Sequence, residues 1–99
     1  MRSKRTKALA ISPRVKQIVW ERDGRRCVLC GATNARPEAH YIPRSQSGLG
    51  IEENVVTLCR DCHRRLDQSV ERKRLLETIK RYLDVFYPDF SDEDRRYKR

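Results

Sequence analysis

A chain of 99 residues has room for a single domain, and with 37% hydrophobic, 37% charged and 7% aromatic residues its core is too thin to rest on hydrophobicity alone. The net charge of +9, from 23 basic against 14 acidic residues, favours a polyanionic partner whose condensed counterions are released on binding, and with the small size it points to nucleic acid. No apolar run approaches the roughly 18 residues that a membrane helix needs, and the apolar stretch from Ala8 to Ile11 is too short for a signal core. The setting implied is cytoplasmic and reduced, where cysteines serve metal or catalysis rather than disulfides.

In chain order, residues 1–11 read as a flexible basic arm able to trail along a phosphate backbone. Over "SPRVKQIVWERDG" a helix is predicted, with Ser12 as its cap, Pro13 in the first helical position and Gly24 at its stop. Val15, Ile18 and Val19 share one face of it as core, and Trp20 reads as a packing residue. "RRCVLCG" reads as a metal knuckle, with Gly31 turning the chain after the second cysteine, and residues 32–37 as a loop. "EAHYI" is a short strand that Pro43 prevents from continuing as a central one. "RSQSGLG" is a loop, "NVVTL" a second strand entering the next knuckle, and a short helix is predicted from Asp61 to Leu66. "VERKRLLETIKRYLDVFYP" places apolar residues at 75, 79, 82, 83 and 86, an amphipathic helix ended by Pro88. Its charged side (Arg72, Lys73, Arg74, Lys80, Arg81) suits a solvated face and a phosphate-contacting face equally. Residues 89–99 read as a frayed charged tail, leaving one domain over 12–88.

Cys27-x-x-Cys30 and Cys59-x-x-Cys62, with 28 residues between the pairs, have the spacing that places two thiolates on each of two edges of a zinc tetrahedron. Such a zinc is saturated. It serves as a staple whose binding free energy becomes folding free energy, and any chemistry must lie elsewhere. The only two histidines, His40 and His63, fall inside or beside the bracketed region, and Asn54 opens the second strand. A metal-assisted phosphodiesterase needs such a set: an imidazole to take a proton from water near neutral pH, another to hold a divalent ion, and an amide to fix the loop.

Taken in order, "CVLCG", "EAHYIPRSQSG" and "NVVTLCRDCHRRLD" resemble the HNH endonucleases, the ββα-metal nucleases, and within them small phage and prophage proteins with two zinc knuckles. The likeness runs over residues 12–88 and is densest over 27–67. It implies a small, zinc-stapled α+β fold, a ββα-metal (treble-clef-like) core flanked by an N-terminal helix and a C-terminal amphipathic helix. It also implies a DNA endonuclease using Mg²⁺, Mn²⁺, Ni²⁺ or Zn²⁺, leaving a 3′-hydroxyl and a 5′-phosphate, with the ββα helix set against the minor groove. By position, His40 resembles the general base, Asn54 the central asparagine that constrains loop and base, and His63 the final histidine, a ligand of the catalytic metal. Asp67, one helical turn on, matches a further ligand found in some branches. Arg44, Arg64 and Arg65 are the DNA-contacting candidates, holding phosphates without reading sequence. Related phage proteins are associated with genome packaging, which implies packaging proteins as partners and a bacterial host cytoplasm as the location.

Two positions depart from the family pattern. Ala39 stands where many members carry a metal-ligating Asp or His, and Glu38 substitutes only if the strand is irregular, because neighbouring strand residues alternate faces. Ser47 stands where a glycine pair is common. Ala39 keeps a second reading open, a zinc-stabilised nucleic-acid-binding module whose cleavage is absent or dependent on a partner. Retention of His40, Asn54 and His63 together favours the enzyme, and a monomer with one site would nick.

Overall fold

The computed structural model describes residues 3–98; Met1 and Arg2 of the expected arm and Arg99 of the expected tail lie outside the described residues. Helix α1 (Lys4–Leu9) is capped by Ser3, whose hydroxyl accepts the Thr6 N–H. Helix α2 (Pro13–Arg22) begins as its sequence predicts, with the Ser12 hydroxyl accepting the Val15 N–H at 3.1 Å and proline in the first turn. A two-stranded antiparallel sheet follows, β1 (Ala35–His40) against β2 (Val55–Cys59). β2 runs directly into α3 (Arg60–Gln68), and α4 (Arg72–Phe86) closes the core. The arrangement is a small α+β fold in which a sheet hairpin feeds a helix beside a four-cysteine cluster.

Every residue of β2 is buried, which requires cover on both faces of the sheet. On one side Val56 and Leu58 pack with Leu66 of α3 and with Leu75, Ile79 and Leu83 of α4. These α4 positions recur at intervals of four and belong to the stripe expected from the sequence, of which Tyr82 is only partly buried and Phe86 is exposed. On the other side lies α2, with Val19 fully buried. Arg22 and Asp23 bolt α2 to the sheet. Arg22 Nη2 donates to the Val55 carbonyl at 2.7 Å, and Asp23 Oδ2 accepts the Thr57 N–H at 2.8 Å. The Tyr82 hydroxyl donates to Asp23 Oδ1 at 2.6 Å, which joins α4 to the same bolt.

The strand β1 starts earlier than expected and is irregular. Arg36 pairs with Leu58 and Ala39 with Val56, so Pro37 and Glu38 together face the single residue Thr57. This is a β-bulge. Proline has no N–H for the ladder and is accommodated at bulges, and Thr57 turns both of its main-chain groups elsewhere, to Asp23 and to the Val28 N–H.

Both ends of the described chain differ from expectation. Residues 3–11, expected as part of a free arm, contain α1, bury Leu9 to 2% exposure and accept the Gly50 N–H at the Ala8 carbonyl. The expected frayed tail instead buries Arg95 completely. Its guanidinium donates to the Glu53 carbonyl at 2.7 Å and to Asp92 at 3.0 Å, with the rings of Tyr41 and Phe90 alongside. Among the described residues, no helix is long and apolar enough to cross a membrane.

Candidate active site

The four-cysteine staple fixes where α3 begins. The ligand atoms of Cys27, Cys30, Cys59 and Cys62 lie within 4.8 Å of one another, and the Cys30 and Cys59 sulfurs are 3.6 Å apart. A tetrahedron with Zn–S bonds of about 2.3 Å has edges of roughly 3.8 Å, so the cluster has the dimensions of a structural zinc site. Gly31 takes a left-handed φ of 81° and donates its N–H to the Cys27 carbonyl, closing the first knuckle. Cys59 caps α3, its sulfur accepting the Cys62 N–H at 3.4 Å. Burial first, and then the neighbouring sulfurs, push the Cys62 thiol up. Cys27 meets the same opposition from burial, yet backbone hydrogen bonds from Cys59, Cys30 and Leu29 draw it down to about 7. A cation compensates thiolates crowded in this way.

His40 is the last residue of β1 and half-buried. Its Nε2 lies 2.9 Å from the Leu9 carbonyl, and the ring borders a cleft shared with Thr6, Lys16, Glu38 and Arg44. Burial, first, holds its pKa below the usual histidine value of 6.5; the Leu9 carbonyl opposes this, and the charges of Arg44 and His63 add to it. The neutral form of His40 is therefore favoured around pH 7.

Asn54 is fully buried just before β2. Its Oδ1 accepts the Ile42 N–H at 2.8 Å, and its Nδ2 donates to the carbonyls of Ile42 at 3.1 Å and Leu49 at 2.8 Å. One amide thus ties the residues just after His40 to the loop that returns toward β2. An aspartate could accept but not donate here, which is the physical reason for an amide.

His63 and Asp67 lie one turn apart on α3, with Nε2 and Oδ2 separated by 3.6 Å and both side chains about half exposed. They line a second cleft together with Arg36, Arg60, Arg64 and Glu38. Glu38 is the residue common to both clefts. Ala39 is buried at 1% exposure within the apolar core and offers no ligand. The strand is irregular just before it, and Glu38 is exposed and lines the cleft of His63 and Asp67. In the structure Glu38 is 3.6 Å from Lys16. Among the described residues, only the four cysteines converge to within 4.8 Å as a group of three or more metal-capable side chains, so Glu38, His63 and Asp67 share a cleft without closing on one point.

The arginines divide. Arg44 lines the His40 cleft and Arg64 the His63 cleft. Arg65 turns away, paired with Glu71 at 3.0 Å. Arg36, Arg60 and Lys16 line the clefts and were not singled out from the sequence. Pro37 inside an otherwise strand-like run was the available signal, since it marks the bulge that turns this part of the strand toward the site.

Residues 27–69, from the first cysteine to the residue that ends α3, match the family model of the HNH endonucleases. No curated protein matches the chain.

Proposed function

From the HNH endonuclease domain that residues 27–69 constitute, we propose that this protein is a metal-dependent DNA endonuclease whose general base is His40. The observation that carries the reading is that Glu38 borders both the cleft of His40 and the cleft of His63 and Asp67, beside a separate four-cysteine staple. His40, neutral near pH 7, takes the proton of the attacking water. Asn54 ties the residues just after the base to the loop that returns toward β2, which restrains the strand end that carries the imidazole.

His63 and Asp67 would hold a divalent cation, and Glu38 would complete the set in place of the ligand that Ala39 cannot supply. The donor chemistry fits, because one imidazole and two carboxylates suit Mg²⁺, Mn²⁺, Ni²⁺ or Zn²⁺, and the 3.6 Å between His63 and Asp67 is a short rotamer adjustment from chelating distance. When bound, such an ion stabilises the charge that develops at phosphorus and on the leaving oxygen. Arg44 and Arg64, with Arg36 and Arg60 beside them, neutralise phosphates flanking the scissile bond and confer little sequence preference.

The test is nicking of supercoiled plasmid by wild type and His40→Ala with Mg²⁺, Mn²⁺, Ni²⁺ or EDTA. Metal-dependent relaxation reduced about 10²–10⁴-fold in the variant, with DNA affinity retained, is the expected result. Unchanged nicking by His40→Ala removes it as the base. Salt-sensitive DNA binding with no cleavage under any metal favours the second reading, a zinc-stabilised binding module, for which buried Ala39 is the supporting observation.

A further inference from the structure

We propose that residues 4–11, which lie outside the matched family region, are a working part of this site: the main-chain carbonyl of Leu9 is a positioning group that holds His40 with its proton on Nε2 and leaves Nδ1 as the basic atom. The proposal rests on the reading of His40 as general base. A carbonyl oxygen only accepts, so at 2.9 Å the ring nitrogen facing it must be the donor. A neutral imidazole carries one N–H, so the lone pair available to water is on Nδ1. The same bond fixes the rotation of the ring, which decides where that lone pair points.

The segment is seated by contacts independent of this bond. Leu9 buries its side chain, the Ala8 carbonyl accepts the Gly50 N–H at 3.0 Å, and Arg5 Nη2 donates to the Arg44 carbonyl at 3.3 Å and to the Ser47 hydroxyl at 3.2 Å. The strap is therefore bound to the loop after His40, the same loop that Asn54 ties from the other side. Gly50 is what permits so close an approach. A Cβ there would stand 2.1 Å from the Ala10 carbonyl oxygen and 2.9 Å from that of Leu9. Both are backbone atoms, so an alanine must push the strap away.

Gly50→Ala in the full-length, zinc-loaded chain thus displaces the strap without changing charge. Leu9→Ala loosens the anchor and leaves the carbonyl in the chain, and Leu9→Met is the conservative control. In ¹⁵N-labelled wild type the expected imidazole spectrum is a single tautomer with an exchange-protected Nε2–H for His40. In Gly50→Ala that proton should exchange freely and the tautomers mix, while kcat for nicking falls roughly 10–100-fold, the scale of a 1 Å misplacement, and KM for DNA holds. Leu9→Ala should move both readouts the same way and Leu9→Met neither. A wild-type His40 protonated on Nδ1, or with an unprotected Nε2–H, overturns the proposal whatever the variants do. A protected Nε2–H in a protein whose His40→Ala variant still nicks overturns the base assignment beneath it, so the two failures are separable.

Discussion

The histidine that terminates β1 is neutral because of where the chain puts it. Burial is the leading cause of its lowered pKa, with Arg44 and His63 adding to it against the opposing Leu9 carbonyl. Two pH dependences follow. A base whose pKa lies below 6.5 keeps its lone pair into mildly acidic solution, so the acid limb of kcat/KM should fall below pH 6.5. Stability moves in the same direction. Below about pH 6.5 the unfolded chain takes up a proton that the folded chain resists. The contribution is fully present above that pH, is lost as pH falls toward the folded pKa, and is constant below it. Melting temperatures from pH 7.5 to 5 should therefore drop more for wild type than for His40→Gln, and parallel curves would show that burial does not shift this group. Glu38 carries the other residue-scale prediction. If it ligates, Glu38→Gln should weaken Mn²⁺ binding, read by the EPR signal of free Mn²⁺ with zinc in the cysteines, by about tenfold or more. Unaltered binding would leave Glu38 as no more than a partner of Lys16.

At the scale of elements, the knuckles, the hairpin and α3 form one mechanical unit. Cys59 is both the last residue of β2 and the cap of α3, so the staple sets the direction in which His63 and Asp67 emerge. Cys59→Ser should lose zinc and lower the melting temperature while also releasing the first turn of α3; a folded, fully zinc-loaded variant would contradict the staple. This unit was legible in the sequence because its signals are local: paired C-x-x-C, Ser12 and Pro13 at the start of α2, and the spacing of Leu75, Ile79 and Leu83 in α4. What was not legible depends on partners far along the chain. Residues 4–9 offer one apolar side chain that becomes buried, Leu9, and its docking is decided by Gly50 and His40, so their composition reads as a basic arm. The altered glycine pair shows the same limit. Ser47 has φ 66°, a left-handed conformation that explains why glycine suits the position, and its hydroxyl accepts from Arg5 across 42 residues. The bulge that exposes Glu38 had a local sign in Pro37, but which face it served required β2 in place.

Across the whole molecule, the two ends of the chain grip one loop. Residues 47–50 are held by the N-terminal strap at Gly50, by Asn54 at Leu49, and by the C-terminal segment, where Leu49 donates to the Arg95 carbonyl and Tyr97 to that of Ser47, each at 2.8 Å. This is how a chain of such modest apolar content fixes the loop: three separate segments hydrogen-bond its main chain where a larger protein would supply core. Arg95 is the pin of the third grip. Its Nε reaches the Glu53 carbonyl beside Asn54, its Nη1 reaches the Phe90 carbonyl and Asp92, and its stem lies in the interior. Arg95→Met keeps much of the volume and removes the donors. The Glu53 and Phe90 carbonyls then lose their partner, at about 1–3 kcal/mol for a buried acceptor left unmade, and the aromatic faces of Tyr41 and Phe90 lose the cation. A loss of roughly 2–4 kcal/mol overall should lower the melting temperature by about 10–20 °C in a domain of this size. The discriminating measurement is amide exchange. If the C-terminal segment is the third grip, protection at Leu49 and Tyr97 collapses in Arg95→Met while the β1–β2 ladder keeps its own. Equal loss throughout would mean that Arg95 supports the core as a whole, and the loop would then hang on Asn54 and the strap alone.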